Sequence, residues 1–217
     1  LAMVDASIGG KNGIDVEVYK NMVGTIRQPA FILYDSSFLD SLPGNEWING
    51  FAEIIKHACI KDRAMFLQLE KNTIEKWRKN KRDRSELIRR NVLLKTGIVR
   101  RDVTEKGERR LLNFGHTLGH ALENQYELSH GQAISIGMAK ACRISESITG
   151  FPDAKRVTGL LNRYGLPTDA VYNKKKVFEV LKMDKKREKK EMNYVLLERI
   201  GKGLIKSIPL KQLGKFV

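Results

Sequence analysis

Apolar positions along this chain change their period part-way through. From about residue 45 they recur at three- and four-residue spacing, the signature of amphipathic helices. Leu87, Val92, Leu94 and Ile98 form one such set, and Ile134, Met138, Ala141 and Ile144 another. The pattern predicts helices near 45–61, 63–80, 83–103, 114–126, 131–148, 153–164 and 174–182. Gly150 with Pro152, and Gly165 with Pro167, end two of them. Residues 193–197 and 204–210 read as two strands around Gly201 and Gly203. Before residue 45 the picture differs. Residues 1–29 are glycine-rich and polar, which predicts loop rather than regular structure, and 30–35 (AFILYD) reads as a short buried strand. Pro43-Gly44 is the best boundary. The expected architecture is an α/β piece over 1–44, followed by a mainly α-helical domain over 45–217.

Composition narrows this. A hydrophobic content of 41% supports a real core, and 30% charged residues a soluble surface. No apolar run has the length of a membrane span, and no signal peptide is visible, so a cytoplasmic location is expected. Cys59 and Cys142 fall within apolar helical patterns, as buried thiols in a reducing compartment would, with a single disulfide the alternative. The net charge of +15 raises the question of nucleic acid. Much of it lies in 76–84 (KWRKNKRDR) and 185–190 (KKREKK), runs mixed with acidic residues and lacking the interleaved aromatics of a single-strand platform. A small anionic substrate is the better expectation.

The chemistry-bearing residues cluster. Three of the four histidines fall between 116 and 130. His116 and His120 are four apart and share a helical face, which Asn113 joins; His130 follows a polar break. Upstream, Glu53 and Lys56 are three apart on another predicted helix. A carboxylate and imidazoles from separate helices suit an open zinc site, with cobalt or manganese as alternatives. On spacing alone the histidine pair is equally a capping or surface pair. Thr117 occupies the position of the glutamate in the His-Glu-x-x-His motif of metalloproteases. The glycines at 9, 10 and 13, with Lys11, could cradle an anion, but they match neither a Walker loop nor Gly-x-Gly-x-x-Gly.

Taken in order, 4–14 (VDASIGGKNGI), 20–24 (KNMVG), 50–57 (GFAEIIKH), 111–123 (LLNFGHTLGHALE), 129–138 (SHGQAISIGM) and 183–186 (MDKK) resemble the 3-dehydroquinate synthase family. Other sugar phosphate cyclases, such as 2-deoxy-scyllo-inosose synthase, share that scaffold. Glycerol dehydrogenase is more distant. The resemblance implies the end of a Rossmann-like NAD domain followed by a helical metal domain. It implies conversion of 3-deoxy-D-arabino-heptulosonate 7-phosphate to 3-dehydroquinate and phosphate, with NAD and one divalent metal, zinc or cobalt. The metal ligands would be Glu53, His116 and His130. His120 would then face the substrate phosphate, near Lys11, Asn21 and one of Lys185 and Lys186. Lys95 and Arg109 would hold the substrate carboxylate. Asp5, Lys56 and Asn113 would lie around the ring hydroxyls, with Glu105 as a further acidic site residue. The dinucleotide would touch Lys11, Lys20 and the turn Phe38, Leu39, Asp40 and Ser41, with Ser41 keeping the hydroxyl of a threonine common there.

Lys95 and Arg109 separate this family from its relatives, because cyclases of sugar phosphates without a carboxylate would gain nothing from two unpaired buried cations. The alternatives are such a cyclase, or a basic binding module without catalysis. The resemblance also implies a homodimer, and that most of an NAD domain precedes Leu1. The expectation is thus a fragment that binds metal and turns over little.

Overall fold

The computed structural model describes residues 1–16, 19–123, 125–183 and 191–216. Its centre is α1 (Gly44–Lys61), in which every side chain from Phe51 to Ile60 is buried. Ordinary surface helices have a polar face; one covered all round must lie inside. In chain order the helices that follow are α2 (Arg63–Glu70), α3 (Ile74–Lys79), α4 (Lys81–Arg101), α5 (His116–Glu123), α6 (His130–Thr149), α7 (Ala154–Arg163) and α8 (Lys174–Met183), of which α2, α4, α6 and α7 pack on α1. Among the described residues, no helix is long and apolar enough to cross a membrane.

Local chemistry sets the helix ends. Ser129 and Gln132 form a reciprocal capping box at the start of α6, and Gly150 closes it in the left-handed region at φ 70°. Thr73 caps α3 through Lys76 N–H, so the predicted 63–80 helix is two helices with a break at 71–73. Asn80 starts α4 slightly earlier than predicted. Gly115, at φ 81°, delays α5 to His116.

Glycine also brings α5 and α6 into backbone contact. A Cβ on Gly137 would lie 1.9 Å from the Gly115 carbonyl oxygen, and one on Gly119 would meet Ile134 Cδ1 at 2.7 Å. Beyond α8, strands Glu191–Arg199 and Lys202–Pro209 pair antiparallel and rest on α6 and α1, with α9 (Leu210–Leu213) after them. Thr149 Oγ1 donates to the Leu197 carbonyl at 2.6 Å, tying α6 to that ribbon. Cys59 and Cys142 are free and buried, and burial pushes both thiols well above their ordinary range.

The first forty residues depart from expectation twice. The glycine-rich stretch expected as loop contains an antiparallel pair, Lys11–Val16 against Tyr19–Ile26. Its glycines permit the pairing: a Cβ on Gly24 would lie 2.0 Å from the Asn12 carbonyl oxygen. Conversely, 30–35 forms no strand and is not buried, with Phe31 82% and Leu33 84% exposed. An apolar run shows that a segment would gain from burial, but a strand also needs a ladder partner, and none pairs with it among the described residues.

Candidate metal centre

Three helices meet at Glu53. It lies mid-way along α1 and is 6% exposed. One carboxylate oxygen, Oε2, is ion-paired with Lys56 a turn later. The other, Oε1, is buried with no hydrogen-bond partner. It faces His116 Nε2 at 3.6 Å and His130 Nε2 at 3.5 Å. The three ligand atoms lie within 4.8 Å of one another. Tetrahedral ligands about 2.0–2.1 Å from zinc are separated by roughly 3.3 Å. These spacings are therefore long for hydrogen bonds but close to those of a shared divalent ion, which would satisfy the orphaned oxygen.

Each imidazole is held from its other nitrogen. His116 opens α5, and its Nδ1 lies 3.3 Å from the Phe114 carbonyl oxygen. His130 opens α6, and its Nδ1 lies 3.4 Å from Glu123 Oε2. Donation from Nδ1 in each ring leaves an Nε2 lone pair for a metal. Electrostatics separates the two rings. Burial, with Lys56 beside it, lowers His116 well below its ordinary value. Glu123 and then Glu53 raise His130 to about 9, against the effect of partial burial. Burial and the Asp5 carboxylate push Glu53 upward, but Lys56 and the imidazoles outweigh them and hold it at about 2. The His120 ring centroid is 5.1 Å from that of His116 and 6.5 Å from that of His130, so it borders the trio.

A second group, Asp5, Glu53 and His57, is similarly compact. Here lysines already supply the positive charge. Lys95 Nζ donates to Asp5 Oδ1 at 2.5 Å and to the Asp5 carbonyl at 2.6 Å, and Lys56 Nζ lies 4.0 Å from Oδ1. Burial raises the Asp5 pKa, yet these cations bring it well below its ordinary value. His57, fully buried, packs its Nε2 3.6 Å from Asp5 and its Nδ1 2.9 Å from Asn91 Oδ1. Since Asn91 Nδ2 donates to the Leu87 carbonyl, Nδ1 of His57 is the donor. His57, Asn91 and Glu123 escape the sequence reading. A histidine inside the apolar run of α1 is their one visible signal.

The other sequence-predicted residues fall nearby or elsewhere. Lys11 is ion-paired with Glu105, whose Oε1 accepts from Asn113 Nδ2 at 2.6 Å. Glu105 holds φ at 59°, a left-handed conformation unusual for a non-glycine residue. Arg109, 2% exposed, donates to the Val103 carbonyl at 2.7 Å and the Gly9 carbonyl at 2.8 Å. In the 36–41 turn, Phe38 is exposed, Leu39 lies in the core, and Asp40 pairs with Arg84 at 2.8 Å and Lys81 at 3.0 Å. Ser41 is exposed. Lys20 and Asn21 belong to the second strand, but their side chains, like all of Lys185 and Lys186, lie outside the described residues.

Residues 50–187 match the family model described as 3-dehydroquinate synthase C-terminal, and residues 1–49 match 3-dehydroquinate synthase N-terminal. The chain belongs to the 3-dehydroquinate synthase family. It is 38% identical over 211 residues to the 3-dehydroquinate synthase of Pyrococcus abyssi, covering 96% of this chain and 62% of the relative. It is 42% identical over 208 residues to that of Methylacidiphilum infernorum, covering 93% of this chain and 56% of the relative. The chain therefore spans between 56% and 62% of the length of these two members of the 3-dehydroquinate synthase family. A solved 2-epi-5-epi-valiolone synthase from Streptomyces hygroscopicus with NAD+ and Zn2+ bound superimposes with a TM-score of 0.89 at 26% identity, over 99% of this chain and 62% of that one. A 2-deoxy-scyllo-inosose synthase complexed with carbaglucose-6-phosphate, NAD+ and Co2+ gives 0.84 at 23% identity, over 99% of this chain and 63% of that one, a likeness of fold.

Proposed function

We propose that this chain carries the metal- and substrate-binding part of a 3-dehydroquinate synthase, which forms 3-dehydroquinate and phosphate from 3-deoxy-D-arabino-heptulosonate 7-phosphate. In this reading residues 45–217 are the metal and substrate domain, and 1–44 belong to the NAD-binding part. The observation that carries it is the buried, unpartnered Glu53 Oε1 facing two imidazole Nε2 atoms at 3.6 and 3.5 Å.

Glu53, His116 and His130 hold the divalent metal, zinc or cobalt. When bound, it would acidify a substrate hydroxyl, and NAD would take up and return a hydride. The remaining steps belong to side chains. Lys56, held as an ammonium against Glu53, donates a hydrogen bond to the reacting hydroxyl, and Asp5 orients the ring hydroxyls beside it. His120 and Lys11 stabilise the departing phosphate by charge-assisted hydrogen bonds, with Asn21 and Lys185 or Lys186 assigned to the same end by family resemblance. Glu105 and Asn113 act as a hydrogen-bonded pair on the substrate side. Lys95 has three N–H donors and Arg109 five, more than their protein contacts consume, so both can still receive a carboxylate. NAD lies against Lys11, Lys20 and Phe38 to Ser41. The working form is a cytoplasmic homodimer, a state that light scattering tests; exposed Phe31, Leu33 and Phe38 are consistent with further burial.

Metal analysis of the purified chain tests the centre. About one zinc or cobalt per chain, absent from Glu53→Ala and His130→Ala, is expected. Calorimetry on the loaded chain tests the substrate class. Stronger binding of the carboxylate-bearing heptulosonate phosphate than of glucose 6-phosphate is expected, and the reverse order would assign another sugar phosphate cyclase.

A further inference from the structure

We propose that Glu123 is the positioning residue for His130, fixing the ring so that its Nε2 is presented to a metal shared with Glu53 and His116. The inference rests on the metal reading above and assigns a role to a side chain outside the three ligands.

The two imidazoles are anchored differently. His116 is only 12% exposed and leans on a main-chain carbonyl two residues before it, in a turn shaped by Gly115. Nothing short of a backbone change removes that anchor. His130 is 44% exposed at the first position of α6, so its ring is less enclosed than that of His116. Its anchor is a side chain from another helix: Glu123 ends α5, and its Oε2 lies 3.4 Å from His130 Nδ1. Because α5 and α6 touch through glycines, the carboxylate is carried on a packed helix rather than a loop.

At 17% exposure the Glu123 carboxylate is shielded enough for its charge to be felt by the ring. It therefore does two things. Accepting from Nδ1–H selects the tautomer with a bare Nε2. Its negative charge makes that nitrogen a better donor to a cation. Outer partners of this kind are typically worth about 10–100-fold in metal affinity.

Zinc competition against a chromophoric chelator, with the chain as wild type, Glu123→Gln and Glu123→Ala, separates the outcomes. Each metal-free protein is melted in parallel. The expected result, compared as pH-independent affinities, is a loss of about 10–100-fold in Glu123→Ala and a smaller loss in Glu123→Gln, which keeps an acceptor without the charge. Metal-free melting temperatures should stay close to wild type for Glu123→Gln. Zinc binding as tight as wild type in both variants would overturn the role. So would affinity losses in both variants matched by equal falls in metal-free stability, since Glu123 would then merely hold the fold. A wild-type chain that takes up no zinc would instead refute the underlying metal reading.

Discussion

Lys95 grips Asp5 twice, through the carboxylate at 2.5 Å and through the main-chain carbonyl at 2.6 Å. One side chain of α4 thereby fixes both the position and the charge of a residue near the start of the chain. Lys95→Ala should leave that carboxylate short of a cation and the carbonyl short of a donor, at a cost on the order of 1–3 kcal/mol. Urea denaturation at neutral pH measures it. The pH dependence follows from the lowered Asp5 pKa. Such a group stabilises the fold above its unfolded value, and the contribution is lost as pH falls through the folded value. Lys95→Ala should therefore move the acid-unfolding midpoint to higher pH. An unchanged midpoint would show that Lys56 and His57 suffice to hold the charge.

Metal uptake should release one proton, not two. His130 is raised to about 9 and so carries a proton at neutral pH, whereas His116 is held well below its ordinary value and is already neutral. Apparent zinc affinity should rise about tenfold per pH unit below about 9, as one proton is displaced. Competition titrations between about pH 6 and pH 8 give the slope. A slope near two would place a proton on His116 as well.

Binding should also stabilise the whole domain, because the candidate ligands come from α1, α5 and α6 and meet only when it is folded. At a free zinc level of about 100 times Kd the gain is about 2.7 kcal/mol. Thermal melts with and without zinc should differ for wild type and coincide for Glu53→Ala.

Gly137→Ala should be among the most damaging single-methyl additions. Its Cβ would enter the Gly115 carbonyl, so α5 and α6 must part, at about 1–3 kcal/mol by the usual cost of overpacking. The zinc affinity of this variant should fall together with its stability, in contrast to Glu123→Gln.

Arg109→Ala should weaken binding of the carboxylate-bearing substrate far more than binding of NAD, as isothermal titration of each would show. Equal losses would indicate that its hold on Gly9 and Val103, rather than a substrate contact, is its main task.

The helical body was legible because the helices around α1 bury one face, and such burial writes a three- and four-residue period into the sequence. Glu53, His116 and His130 could be nominated as ligands only through family resemblance, since a helix period cannot tell His116 from His120. The two meet different surroundings: the His130 ring lies 5.6 Å from that of His116 and 6.5 Å from that of His120, and Glu53 lies 3.6 Å from His116. The opening segment was misread for the opposite reason. Glycines at 10 and 24 look like loop, yet beside the antiparallel strand pair they let two backbones approach. Phe31 and Leu33 look like core, but apolar character says nothing about whether a pairing strand is available. His57, Asn91 and Glu123 act through contacts spanning seven to thirty-four residues, which no local pattern encodes.

His116 and His130 are each the opening residue of a helix. Both helix starts therefore place partial positive charge close to those two residues. Glu53 contributes the single formal negative charge among the three side chains, and Lys56 already leans on it. A divalent ion seated there would be only partly neutralised by these three side chains. Such a centre is electron-poor, and what completes it best is an anionic oxygen. The same poverty of negative charge that weakens the grip on the ion would sharpen its pull on a hydroxyl about to lose its proton.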